Sequence, residues 1–189
     1  MDTQPLFQML NGLAILSPQV KDKLAGYLVE EVFKKKSLIL KQGQVAHRIY
    51  FISQGFVRAF YSNSTDTFTN WFMGRGEIII SVYSFFSRQP SFEHIEALED
   101  CTLQSITWDQ LQNIYQEHPG FNITGRLITE QYYIRSEKRT IDLQTLTAQQ
   151  RYEKLLSDYP DILQKASLGQ IASYLSIKQE TLSRIRGRK

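Results

Sequence analysis

One cysteine, three histidines and five prolines in 189 residues set the first limits on what this chain can be. A lone Cys101 excludes an internal disulfide, a Cys-rich zinc site and a four-cysteine iron–sulfur cluster within one chain; the thiol is expected to serve as a small buried hydrophobe. His47, His94 and His118 are scattered without metal-ligand spacing, so no metal or other cofactor is expected, and no Ser/His/Asp arrangement is visible in the sequence. No uncharged apolar run approaches the roughly 18 residues that a membrane-spanning helix needs. The start, Met1-Asp2-Thr3-Gln4-Pro5, lacks the basic and apolar stretches of a secretory signal, which makes the cytoplasm the expected compartment and leaves the membrane out as a partner. With 42% hydrophobic and 22% charged residues, the composition excludes disorder and collagen-like repeats and leaves room for one large or two small domains.

The net charge of +3 is unevenly spread. Residues 1–143 carry 14 Lys/Arg against 15 Asp/Glu, whereas residues 144–189 carry 8 against 4. Arg184, Arg186, Arg188 and Lys189 all fall in the last six positions. A cationic end suits a polyanion such as nucleic acid, although a solvated basic tail would look the same on charge alone.

Leu6, Met9, Leu10 and Leu13 recur at helical spacing, and a second helix is expected from Ser17-Pro18, with Ser17 as cap and Val20, Leu24, Tyr27 and Leu28 as its buried stripe. From Val32 to Ile106 the texture changes to short β-branched and aromatic runs punctuated by glycine, the pattern of a β-sandwich or barrel. Tyr50-Phe51-Ile52 and Phe56–Tyr61 read as a hairpin that turns at Gly55. Asp109–Tyr115 is expected to be a short helical turn, and Pro119 opens a long helix to about Leu143. In that helix Leu127, Ile134 and Ile141 recur every seven residues, a seam that could pair with its own copy or pack on the sheet of the same chain. Asp142–Thr147 has few large apolar residues and looks like a hinge.

At the C-terminus Ser167 and Gln170 form a capping-box pair ahead of Leu168, Ile171, Ala172 and Leu175 on one helical face. After Ser176 a second periodic run begins near Lys178, with Leu182 and Ile185 inward. Two short helices joined so tightly must cross steeply, and Ala172 supplies the small residue where they touch. The outward face of the second carries Lys178, Gln179, Glu180, Thr181, Ser183, Arg184 and Arg186, groups suited to base edges and phosphates. This is a helix-turn-helix pattern.

The string Ile171–Ile185, and most specifically Glu180-Thr181-Leu182-Ser183-Arg184, resembles the DNA-binding motif of the cyclic-AMP receptor protein and fumarate–nitrate regulator (Crp/Fnr) family. The upstream order of helices, glycine-punctuated strands and long helix matches the same family, so the resemblance spans essentially the whole chain. It implies an α+β architecture: a cyclic-nucleotide-binding-like β-roll, or jelly roll, over residues 1–118, a dimerisation helix and hinge over 119–143, and an all-α helix-turn-helix domain over 144–189. It places Glu180 against cytosine and Arg184 against guanine. A surface ion pair between Glu180 and Arg184 is the plain alternative. Two departures stand out: Ser176 occupies a turn position where relatives commonly have glycine, and the sequence ends at Lys189 before a β-hairpin wing, as in a Bacteroidetes-type branch. Phosphate contacts are then expected from helix ends and from Arg188.

The resemblance also places an effector pocket at Gly76, Glu77, Arg88 and Ser91. Glu77 would reach a ribose hydroxyl, but Ser91-Phe92-Glu93 stands where cyclic-nucleotide binders carry the arginine that pairs with the phosphate. An anion without a cation is costly to desolvate, so cyclic AMP is not expected as the effector. The implied function is a non-enzymatic, homodimeric transcriptional regulator, with double-stranded DNA, its own copy, RNA polymerase and an unidentified small molecule as partners. A ligand-binding signalling module acting through protein partners is the alternative.

Overall fold

The computed structural model describes residues 1–187. The β-branched and aromatic runs form eight strands: β1 (Val29–Phe33), β2 (Leu38–Leu40), β3 (Arg48–Gln54), β4 (Phe56–Ser62), β5 (Thr67–Gly74), β6 (Ile78–Ile79), β7 (Glu93–Ala97) and β8 (Cys101–Thr107). They make two antiparallel four-stranded sheets, ordered β1-β8-β3-β6 and β2-β7-β4-β5. Between them lies a core that includes Ile52, Val57, Ala59, Trp71, Met73, Ile79, Ile95 and Leu103. The architecture is the expected jelly roll with helices around it.

The segment Tyr50–Tyr61 is not the hairpin its sequence suggests. β3 pairs with β6 and β8, β4 pairs with β5 and β7, and the chain crosses from one sheet to the other at Gly55. Gly55 does take a positive φ of 106°. Its reason is crowding at a corner: a Cβ there would lie 2.5 Å from the Cys101 Sγ and 2.8 Å from the Cys101 Cα. A glycine between two apolar runs marks a change of direction, and the local sequence does not distinguish a hairpin from a sheet-to-sheet corner. Cys101 itself is buried.

Helices α1 (Gln4–Leu13) and α2 (Pro18–Tyr27) bury Leu6, Leu10, Val20 and Leu24 against the roll, while Tyr27 and Leu28 are half-buried. The Ser17 hydroxyl accepts the Val20 N–H at 3.3 Å, as its place before Pro18 predicts. A short helix α3 (Val82–Ser87) occupies a stretch with no helical signal of its own. The expected helical turn after β8 is a full helix, α4 (Trp108–Glu117), started by a Thr107/Gln110 capping box.

The long helix α5 (Phe121–Thr145) has two faces. Phe121 and Thr124 are buried and Ile128 and Tyr132 pack on the roll core. Ile123, Ile134 and Ile141 are exposed, Ile134 at 63%, and Leu127 is half-buried. The helix runs through most of the expected hinge: the chain leaves it only at Leu146, which is extended, and α6 (Ala148–Asp158) starts at once with a Thr147/Gln150 capping box. Helices α7 (Ile162–Lys165), α8 (Leu168–Tyr174) and α9 (Gln179–Arg186) follow. Among the described residues no helix is long and apolar enough to cross a membrane.

A second core joins Tyr152, Leu155, Ile162, Ile171, Leu175 and Leu182 to Phe56, Phe72 and Leu98, which point outward from the roll. The C-terminal helices therefore rest on the outer face of the second sheet. Helix α8 lies along β5, where the Ser173 hydroxyl donates to the Thr67 carbonyl and accepts the Thr69 N–H, both at 2.8 Å.

Candidate nucleic-acid interface and effector pocket

Helix α8 is fixed at its start by reciprocal bonds: the Ser167 hydroxyl accepts the Gln170 N–H at 3.2 Å, and the Gln170 side-chain oxygen accepts the Ser167 N–H at 2.8 Å. Ile171, Ala172, Leu175, Leu182 and Ile185 are buried where α8 and α9 meet. The crossing leaves Lys178, Gln179, Glu180, Ser183, Arg184 and Arg186 exposed on one helix, with Thr181 half-buried. No ion pair joins Glu180 to Arg184; the Arg184 Nη2 donates instead to the Thr181 hydroxyl at 3.3 Å. Glu180 in the first turn and Arg184 and Arg186 in the last both oppose the helix dipole favourably. Arg188 lies outside the described residues.

Ser176 has φ of 52°, in the left-handed region. The Ile177 N–H bonds the Ala172 carbonyl and the Ser176 N–H bonds the Ser173 carbonyl, each at 3.0 Å, which is the Schellman closure of a helix. A side chain in that conformation costs about 1 kcal/mol, close to what glycine loses in unfolded-state entropy. Ser176→Gly is expected to be neutral or mildly stabilising, and Ser176→Val, β-branched, to lower stability by about 1–2 kcal/mol. Denaturation midpoints compare the two; a clear loss for the glycine variant would contradict this turn.

The four effector-pocket residues are not brought together. Gly76 sits in its turn with φ of 87°. Glu77 faces away from the roll interior: one carboxylate oxygen accepts the Gly74 N–H at 2.6 Å and the other accepts from the Arg135 Nη1 at 2.6 Å. Arg135 also donates to the Tyr159 hydroxyl at 2.5 Å, and Tyr159 donates to the Phe72 carbonyl at 2.7 Å. Glu77 is therefore a tie between the roll, α5 and the C-terminal helices, an assignment its sequence position gave no sign of. Arg88 closes α3, donating to the Ala46 and Phe85 carbonyls and contacting the His47 ring nitrogen at 3.0 Å. Ser91 is buried against the Ser81 hydroxyl at 3.0 Å.

Glu93 occupies the interior beside them and is 9% exposed. Burial pushes its carboxyl pKa up, only partly offset by a hydrogen bond with Ser81. Tyr61 and Tyr132 are pushed up as well, first by burial and then by the Glu93 charge. The folded state therefore holds the Glu93 proton more tightly than the unfolded chain does. Its contribution is present at acidic pH and is lost as pH rises through the raised folded-state value. Glu93→Gln is expected to raise the denaturation midpoint at pH 7.5 but not near pH 4. An equal effect at both pH values would show that the carboxyl is not the cause. Among the described residues no group of three or more His, Cys, Asp or Glu side chains is arranged to hold a metal ion.

No curated protein sequence matches the chain. Residues 30–118 match the family described as the cyclic nucleotide-binding domain. Among solved structures, FixK2 from Bradyrhizobium japonicum is similar with a TM-score of 0.73 at 19% identity, over 85% of this chain and 83% of that one. The c-di-GMP responsive global regulator CLP of Xanthomonas campestris gives 0.71 at 15% identity, over 91% of each chain. The catabolite activator protein of Thermus thermophilus gives 0.59 at 18% identity, over 98% of this chain and 86% of that one. Residues 30–118 are thus a match to the cyclic nucleotide-binding domain family, within a chain that shares its fold over most of its length with these three proteins.

Proposed function

We propose that the protein is a sequence-specific DNA-binding transcriptional regulator of the Crp/Fnr family, in its Bacteroidetes-type branch, acting in the cytoplasm as a homodimer on a near-palindromic operator. The observation that carries this reading is the outward face of α9, where Lys178, Gln179, Glu180, Ser183, Arg184 and Arg186 stand exposed on a helix held by the capped α8. Glu180 and Arg184 are not neutralised by each other and remain available to base edges. The matched cyclic nucleotide-binding domain and the fold shared with the CLP regulator and the catabolite activator protein support it. The exposed stripe on α5 supports a dimer, and two readers about 34 Å apart meet successive major grooves of one DNA face. RNA polymerase is the further partner implied.

Genome-wide mapping of bound sites tests the reading: an inverted repeat shared by the bound fragments is expected. A chain that shifts no genomic fragment in electrophoresis would sink it and leave a ligand-binding module acting through protein partners.

Cyclic AMP is not the effector in this reading. Glu93 is buried where the phosphate would need a cation, and Arg88 is engaged with carbonyls and His47. Calorimetry is expected to give no saturable isotherm with cyclic AMP. Micromolar binding that Arg88→Ala abolishes would overturn this point.

A further inference from the structure

The C-terminal half of α5 faces α6 and the end of α8 across a cleft of ≈180 Å³. Its lining carries five cationic side chains against two carboxylates, Asp142 and Asp158. Most of the cations have partners. Arg135 is paired with Glu77 and Lys154 with Asp142. Arg151 donates to the carbonyls of Leu143, Leu146 and Leu175. Arg139 differs: its guanidinium lies 3.9 Å from the centroid of the Tyr174 ring and donates to the Tyr174 carbonyl at 2.9 Å. Among the described residues it pairs with no carboxylate, and neither does Lys138 one position before it.

A guanidinium has five N–H donors arranged around its edge, and stacking on a ring leaves that edge free. Burial lowers the Arg139 pKa, and the guanidiniums of Arg135 and Arg151 push in the same direction. Arg139 thus brings unused donors to a cleft where Arg135 and Arg151 add to an excess of positive charge, an arrangement that an anion relieves.

We propose that this cleft binds the phosphate group of a small phosphate ester, with Arg139 and Lys138 as its main donors. The volume suits a phosphoryl group and a few atoms of its organic part, and falls below the roughly 300 Å³ at which drug-sized ligands begin. Because Tyr174 and Leu175 end α8, an anion held here ties α5 to the reader helices. The binding site stands on the cleft alone; its effect on DNA rests on the regulator reading above.

The test is calorimetry of the full chain in phosphate-free buffer with AMP, inorganic phosphate and adenosine. AMP is expected to bind saturably, inorganic phosphate to compete and adenosine to do neither. Arg139→Ala should weaken AMP about tenfold or more, since a charge-assisted bond is lost. The exposed Lys138→Ala should weaken it less, and Arg126→Ala, elsewhere on α5 and paired with Glu130, should not change it. AMP should also change operator affinity in the unaltered protein and not in Arg139→Ala. Absence of phosphate-dependent binding, or binding undiminished in both the Arg139 and Lys138 variants, overturns the site. If AMP does not bind but Arg139→Ala weakens DNA and lowers the salt slope by about one, the cleft is a DNA-backbone contact and the proposal is wrong. A protein that binds AMP but no DNA would keep the site and refute the regulator reading instead.

Discussion

Ile134→Glu is expected to yield monomers in sedimentation and to remove most operator affinity. Ile134 is 63% exposed in the single chain and lies on the helical stripe that Ile123, Leu127 and Ile141 continue. In a two-fold dimer each α5 meets its copy, so one substitution places two carboxylates at the same interface. Burying an unpaired charge costs several kcal/mol, and here both the desolvation and the like-charge repulsion fall on the association step. The variant should keep its fold, because the stripe faces away from Phe121, Thr124 and the roll. A dimer that persists in Ile134→Glu would place the interface elsewhere.

Arg184→Ala is expected to weaken operator binding by about 1–3 kcal/mol and to relax preference at one base pair, because a bidentate contact to a base is lost. Its side chain is exposed and, among the described residues, bonded only to the Thr181 hydroxyl, so truncation leaves the packing of Leu182 and Ile185 intact. Arg188→Ala should instead weaken specific and random DNA alike, as loss of a phosphate contact does. Competition binding against operator and random duplexes separates the two; equal losses for both variants would refute these roles.

The parts of this molecule that sequence made legible are those set by local rules. Ser17-Pro18 and the Ser167/Gln170 pair mark helix starts because their hydrogen bonds close within one turn. The left-handed conformation of Ser176 belongs with them, because two short helices joined so tightly need such a turn. What escaped reading depends on partners distant in sequence. Gly55 looks like a hairpin turn until Cys101 packs against it from 46 residues away. Glu77 looks like a pocket residue until Arg135 reaches it from α5 and Tyr159 from just past the end of α6. Phe56, Phe72 and Leu98 alternate out of the roll where a sandwich would show polar residues, a sign that something covers them. Only the packed structure identifies the cover as the C-terminal helices.

The bonds from Ser173 to Thr67 and Thr69 carry a consequence for solubility. β5 is the last strand of its sheet, so among the described residues one flank of it has no ladder partner, and α8 lies over that flank. Lifting the C-terminal helices off the roll would bare Phe72 together with free donors and acceptors on an aromatic strand, the template on which chains add edge to edge. Large excursions of the C-terminal helices are thereby penalised by self-association, and the motions that avoid it are those small enough to keep α8 over β5.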